Sequence, residues 1–259
     1  MPSPPETTLT FYEDFYRTEL EVWVDALTLS ERFGPCLVLS ETLCHPHGGG
    51  QKGDRAVLAL DGEAARTLGS AGLTIVDTRR EGERIVHLLD GAADTAALEE
   101  ALVGTRPFLL RLDWKFRHHQ MRLHSAAHLL HCFVEKIVGE GAGGEGAVGE
   151  SAGGPPLEFP ETSDLQPEFG LNRYARKELL DAAQMERVVA ELNAFSAEGH
   201  AIATRADPET EGFRYWECAG WVIPCGGTHP RNTAEIGPVE ATLSLKRGKT
   251  GMTFRVPAG

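Results

Sequence analysis

Short alternations of apolar and polar residues fill the N-terminal part of the chain. Glu21 to Leu27 (EVWVDAL) keeps the two-residue period of a strand, and Cys36 to Leu39 is a short apolar strand. Ala56 to Leu60 follows a glycine-rich turn. Leu73 to Asp77 and Arg84 to Leu89 flank Glu81-Gly82-Glu83, which reads as a hairpin turn. Many short strands at this spacing predict a small β-barrel or sandwich ending near Arg106-Pro107.

Beyond that point the period changes. Leu123, Ala126, Ala127, Leu130, Phe133, Val134 and Ile137 recur at three- and four-residue steps, which predicts one helix from Phe116 to Val138. Gly139 to Pro156 has almost no large apolar residue, so it cannot offset its own ordering entropy and is expected to be a mobile surface loop. A second helix is expected from Glu178 to Ala197, with Leu180, Ala183, Val188, Leu192 and Phe195 facing the core. Short strands close the chain at Phe213 to Ile223, Val239 to Lys246 and Gly251 to Val256. The expected class is therefore α+β: a small N-terminal β-barrel over 1–106, then an α+β domain over 107–259 with two helices against an antiparallel sheet.

Composition narrows the setting. Of 259 residues, 41% are hydrophobic, enough for a packed core. No apolar run approaches the ~20 residues that span a bilayer, and the N-terminus lacks a basic start followed by an apolar stretch. The expectation is a soluble cytoplasmic protein with no membrane partner. The five cysteines are scattered and odd in number, which suits a reducing compartment.

The net charge of −13 argues against a polyanionic partner when taken as a sum. Its distribution changes that picture. Gly139 to Asn172 holds seven acids and no Lys or Arg. Arg106, Arg111, Lys115, Arg117 and Arg122 cluster against Asp113 alone, and Lys246, Arg247, Lys249 and Arg255 crowd the C-terminus. Arg111, Lys115, Arg117, Arg122, Lys246, Arg247 and Lys249 are thus the candidate phosphate contacts.

Three segments carry chemistry. His124 and His128 stand four apart on the predicted helix, so both imidazoles share one face about one turn apart, as two corners of a zinc tetrahedron require. Alone the spacing is weak, and His131 or Cys132 would serve as well. In Pro224-Cys-Gly-Gly-Thr-His-Pro230, Cys225 and His229 are again four apart, but across glycines that let a loop fold tightly around one ion. Two His, one Cys and a further His form a borderline-soft set suited to zinc. In Cys44-His-Pro-His-Gly-Gly-Gly-Gln-Lys-Gly-Asp54, the glycines allow close approach of a ligand to the backbone, and Gln51 offers both donor and acceptor. The plain alternative for this segment is a turn between two strands, and Pro46 and the glycines weigh against a second metal at His45 and His47. No Ser-His-Asp or Cys-His nucleophile arrangement stands out.

His124-x-x-x-His128 followed by Cys225-Gly-Gly-Thr-His229 resembles the zinc signature of alanyl-tRNA synthetase editing domains and of their free-standing relatives, the AlaX proteins. The resemblance extends to Gly48-Gly-Gly-Gln-x-Gly-Asp54, to Asp113-Trp114 and to Asn232-Thr-Ala-Glu-Ile-Gly237, so it covers nearly the whole chain in order. The intermediate-length AlaX class has this layout, whereas threonyl-tRNA synthetase editing domains share only the zinc-bearing half. One departure is Cys44-His45-Pro46-His47, where the family usually has an aromatic-Pro-acid stretch.

The resemblance implies a zinc-containing editing factor acting in trans, which hydrolyses the ester of a mischarged tRNA at its acceptor end. The expected substrate is serine, or glycine, on alanine tRNA. A relative retuned to a threonine-like residue on threonine tRNA, such as a halogenated threonine, is the alternative. Two further classes are a zinc-stabilised tRNA-binding module without catalysis and a metal-dependent hydrolase of small molecules. In this reading His124, His128, Cys225 and His229 hold Zn2+. Gln51 and Thr228 handle substrate and water, and Gly48, Gly49, Gly50, Gly226 and Gly227 line the substrate. A second copy of the chain is a further candidate partner.

Overall fold

The computed structural model describes residues 6–91, 94–141, 157–160 and 162–257. They form two compact units: Met1–Gly48 with Lys52–Arg117, and Gly49–Gln51 with His118–Gly259. Both mix helices with antiparallel sheets. Among the described residues no helix is long and apolar enough to cross a membrane.

The first unit contains β1 (Thr8–Leu9), β2 (Glu19–Val22), β3 (Val24–Ser30), β4 (Gly34–Leu39), β5 (Glu41–Thr42), β6 (Ala56–Ala59), α1 (Gly62–Leu68), β7 (Gly72–Glu81), β8 (Arg84–Leu89), α2 (Thr95–Leu102) and β9 (Phe108–Leu112). Seven strands form one curled antiparallel sheet in the order β2-β9-β6-β7-β8-β4-β3. The two edge strands are consecutive in sequence, so the chain passes from one edge to the other at Trp23 and the sheet must curl as a half-barrel. Sequence periodicity predicts a single strand from Glu21 to Leu27, but the interruption at Trp23 divides it between opposite edges. Val22 and Val24 are both fully buried in the unit's main core, with Leu37, Leu39, Leu58, Ile75 and Leu110.

The helices α1 and α2 were not expected from the pattern. Each is only two turns long, below the length at which a helical period stands out. The start of α2 is fixed by Asp94, whose side chain accepts from the N–H groups of Ala96 and Ala97. Leu98 and Leu102 supply its buried face.

The helix α3 (Trp114–Gly141) begins in the first unit and continues in the second. Asp113 caps it by accepting from Phe116 N–H at 3.0 Å. The residues at its three- and four-residue steps, Leu123 to Ile137, are buried as the period requires. It extends three residues beyond the expected end, through Gly139 and Glu140 to Gly141. The rest of the stretch expected as a mobile loop, residues 142–156, lies outside the described residues.

The second unit adds β10 (Thr162–Leu165), β11 (Gly170–Tyr174), α4 (Ala182–Glu198), β12 (Ile202–Ala206), β13 (Arg214–Cys218), β14 (Trp221–Pro224), β15 (Glu240–Lys246) and β16 (Lys249–Arg255). Two antiparallel sheets result, β10-β11-β16-β15 and β12-β13-β14. The helix α4 opens on a capping box between Asp181 and Gln184, four residues later than the expected start. Its Val188 and Leu192 share one core with Leu130 and Val134 of α3, Trp216 of β13 and Phe254 of β16. Phe213 to Ile223 is a hairpin rather than one strand. It reverses at Ala219 and Gly220, both at positive φ, and Cys218 pairs with Trp221.

One buried histidine gives the first unit a pH dependence. His87 Nδ1 meets the carbonyl of Leu37 at 3.2 Å, so this nitrogen carries the proton, and Nε2 accepts from Thr42 Oγ1 at 2.8 Å. The neutral ring is fully satisfied, and burial holds its pKa down to about 4. The unfolded chain takes up this proton first, at about 6.5. The contribution of His87 is therefore complete above about pH 6.5 and is lost progressively as pH falls toward about 4, at a limit on the order of 3 kcal/mol. Thermal melts between about pH 7 and about pH 4.5 should show this loss, and His87→Gln should flatten part of the slope. Superimposable slopes would show that His87 does not titrate with unfolding.

Candidate metal centre

Two elements of the second unit bring together four side chains of metal-ligating type. His124 and His128 lie one turn apart on α3, and their rings are 4.9 Å apart. Cys225 and His229 come from the loop that leaves β14. The Cys225 Sγ lies 3.5 Å from His124 Nε2 and 3.3 Å from His229 Nε2. One atom from each of the four residues falls within 4.8 Å of every other. Bonds of about 2.0–2.3 Å to a tetrahedral ion place its ligand atoms about 3.3–3.8 Å apart, and the two sulfur–nitrogen distances fit that spacing. The predicted ligand set thus meets, while His131 turns to Tyr174 OH at 3.3 Å.

The chemistry of the cluster suits a cation. His128 Nε2 is buried and has no hydrogen-bond partner among the described residues. A buried polar atom of this kind costs free energy unless something binds it. Burial also holds the His124 pKa down to about 4 and the His128 pKa well below its ordinary value, where His124 and His131 add to the effect. The imidazoles are therefore neutral at pH 7 and present lone pairs. Burial pushes the Cys225 thiol up to about 11, which Gly227 N–H partly offsets. A metal ion here would displace that proton and take the thiolate. The four residues could hold one metal ion.

Gln51 and Thr228, the expected handlers of substrate and water, are both fully buried. Gln51 Nε2 donates to Thr228 Oγ1 at 2.8 Å, and its Oε1 accepts from Thr228 N–H at 3.0 Å. The same oxygen lies 2.9 Å from His124 Nδ1. Gly48, Gly49 and Gly226 are exposed, whereas Gly227 is buried. A Cβ on Gly227 would run into the His124 ring and would come within 2.9 Å of Gln51 Oε1, so only glycine lets the loop approach α3 this closely.

The candidate phosphate contacts divide by exposure. Arg111 and Lys115 are exposed in the first unit, although Arg111 pairs with Glu19 at 2.9 Å. Lys246 and Arg247 are exposed on the β15–β16 hairpin in the second, with Lys249 half-buried. Arg117 is fully buried and paired with Asp54; it also donates to the carbonyls of Leu43 and Phe15. Arg122 is buried and donates to the carbonyls of Ile236 and Pro257.

Two residues of the site were absent from the sequence reading. Ser125 Oγ lies 2.9 Å from His229 Nδ1, which completes the outer support of that imidazole. Trp216 packs its ring 5.1 Å from that of His128 and 6.2 Å from that of His229. Ser125 adjoins a candidate ligand in sequence and was there to be noticed. Nothing in the sequence ties Trp216 to residues on other elements.

Comparison with known proteins adds kinship to this geometry. No protein-family model matches the chain. An alanine–tRNA ligase of Metallosphaera sedula is 29% identical over 252 residues, covering 91% of the chain and 24% of the ligase. One of Saccharolobus islandicus is 28% identical over 255 residues, covering 95% and 26%. One of Hyperthermus butylicus is 30% identical over 270 residues, covering 98% and 26%. The chain thus spans about a quarter of the length of the relatives it matches.

The close approach at Gly227 can be tested on the metal itself. Gly227→Ala should cost about 1–3 kcal/mol in stability through overpacking and sharply reduce bound metal. Elemental analysis and a thermal melt check both effects; unchanged metal content would show that the loop tolerates the methyl group.

Proposed function

We propose, from the homology of this chain to alanine–tRNA ligases along nearly its whole length, that it is a zinc-containing deacylase of mischarged aminoacyl-tRNA. The observation that carries the reading is the meeting of His124, His128, Cys225 and His229 in one ligand cluster. The two units, Met1–Gly48 with Lys52–Arg117 and Gly49–Gln51 with His118–Gly259, would be a barrel-like domain and a zinc-bearing editing domain. The preferred substrate is serine, or glycine, on alanine tRNA, with a threonine-like residue on threonine tRNA as the alternative.

A physical need supports such an activity. A synthetase pocket separates amino acids differing by a methylene or hydroxyl by only about 1–3 kcal/mol, so faithful charging requires a second sieve. Three imidazoles and one thiolate are a zinc donor set, and four protein ligands make a closed site. When bound, zinc supplies a fixed positive charge that favours developing negative charge nearby. The exposed glycines Gly49 and Gly226 would let the acceptor end approach the backbone closely. Gln51 and Thr228 serve the site from beneath, through the hydrogen bonds that hold the loop and His124. Arg111, Lys115, Lys246, Arg247 and Lys249 would neutralise tRNA phosphates despite the net charge of −13.

A panel of aminoacyl-tRNAs tests the reading. The protein should carry about one zinc per chain and release serine from alanine tRNA while sparing alanine. His124→Ala and Cys225→Ala should lose metal and activity together. Intact esters across the panel would defeat the proposal, and tRNA retained without ester loss would point to a binding module.

Salt dependence tests the phosphate contacts separately. Affinity for tRNA should fall steeply with ionic strength, and Lys246→Ala and Arg247→Ala should each reduce the slope of log K against log salt by about 1. The loss should be equal for correctly and incorrectly charged tRNA, because phosphate contacts position the substrate without reading the acyl group.

A further inference from the structure

We propose that Gln51 is a positioning residue, which keeps the proton of His124 on Nδ1, turns Nε2 toward the ligand cluster and fastens the Cys225–His229 loop to α3. The expected gain in metal affinity rests on the zinc reading above; the assignment of the proton does not.

One hydrogen-bonding group at this site has a fixed role. Thr228 N–H can only donate, and it points at one end of the Gln51 amide at 3.0 Å. That end must be the oxygen, so the amide orientation is fixed by the backbone rather than by resemblance of the two ends. The other end, Nε2, donates to Thr228 Oγ1 at 2.8 Å. Oε1 has one remaining lone pair, and His124 Nδ1 occupies it at 2.9 Å. Two acceptors cannot bond to each other, so Nδ1 must carry the proton. The neutral ring then leaves Nε2 bare, and Nε2 is the atom 3.5 Å from Cys225 Sγ.

Gln51 can enforce this because it is buried and its turn is anchored on both sides. It is fully buried, and Gly50 just before it accepts from Leu165 N–H at 2.9 Å. A Cβ on Gly50 would collide with the Ser163 carbonyl, so the turn is seated directly on β10. Ser163 Oγ donates to Asn172 Oδ1 at 2.9 Å, and Asn172 Nδ2 donates to the carbonyl of Ala127, the residue before His128. The turn is thus tied back to the helix that carries two ligands. One amide joins three segments: the Gly49–Gln51 turn, α3 and the ligand loop.

Nuclear magnetic resonance of the metal-free protein reads the proton directly. In wild type, His124 should show a protonated Nδ1 and a bare Nε2. Gln51→Glu keeps both acceptor contacts and should preserve that pattern. Gln51→Leu fills the space but cannot accept, and should release the proton to Nε2. Zinc and cobalt affinities, measured by competition with a chelator, should fall about 10–100-fold in Gln51→Leu and change little in Gln51→Glu. The Co2+ spectrum should show the thiolate and imidazole ligands of wild type retained in Gln51→Glu. A wild-type His124 protonated on Nε2 overturns the proposal even if Gln51→Leu fails to fold. So does a Gln51→Glu protein as weak as a folded Gln51→Leu, since packing alone would then explain both. If wild type takes up no metal yet keeps the proton on Nδ1 through Gln51, the positioning role stands and the zinc reading falls.

Discussion

A row of polar side chains on the inner side of α3 is the constraint that the site must satisfy. Arg117, His124, His128 and His131 follow one another at seven-, four- and three-residue steps, and each is drawn largely out of water. Burying such groups without partners would cost on the order of 1–3 kcal/mol apiece, and more for a charge. Three of the four therefore recruit a segment distant in sequence. Arg117 takes Asp54, His124 takes Gln51, and His131 takes Tyr174. Of these four, His128 turns into the cluster an Nε2 that has no hydrogen-bond partner among the described residues. The helix is thus both a hydrophobic core element and a spine to which polar segments are fastened.

This arrangement explains why two glycine-rich motifs serve one site. The Gly49–Gln51 turn and the Cys225–His229 loop contain little that could pack by apolar burial. They are held by backbone donors and acceptors, Gly50 to Leu165 and Thr228 to Gln51. Hydrogen bonds of this kind are modest in net worth but expensive to leave unmade once buried, so they specify a geometry more than they stabilise a fold.

The period of α3 was readable because a stripe of apolar residues repeats over many turns. The residues of the candidate cluster were readable because chemistry restricts metal ligands to a few residue types. What escaped reading has physical causes. The helices α1 and α2 are too short for a period to emerge. Glu21 to Leu27 alternates well enough for one strand, and no local signal marks Trp23 as the crossing between sheet edges. Phe213 to Ile223 hides its reversal in Ala219-Gly220, a weaker turn signal than Asn-Gly. Charge was the least legible property. Arg117 and Arg122 look like their exposed neighbours in a basic run, yet their guanidinium groups are committed to internal oxygens. The run gives no indication of which basic residues face inward.

The passage of the chain through Trp23 also sets an order of assembly. β3 finds its partner β4 almost at once, across a short turn. Among the described strands, β2, immediately before it, pairs only with β9, and the Glu19–Arg111 contact spans 92 positions. During synthesis, Glu19–Val22 must wait without a neighbour until that distant strand has emerged. Loop closure over such a span is slow compared with hairpin formation. The half-barrel therefore closes around β9, which pairs with β2 on one side and β6 on the other, and β9 leads directly into the helix bearing His124 and His128.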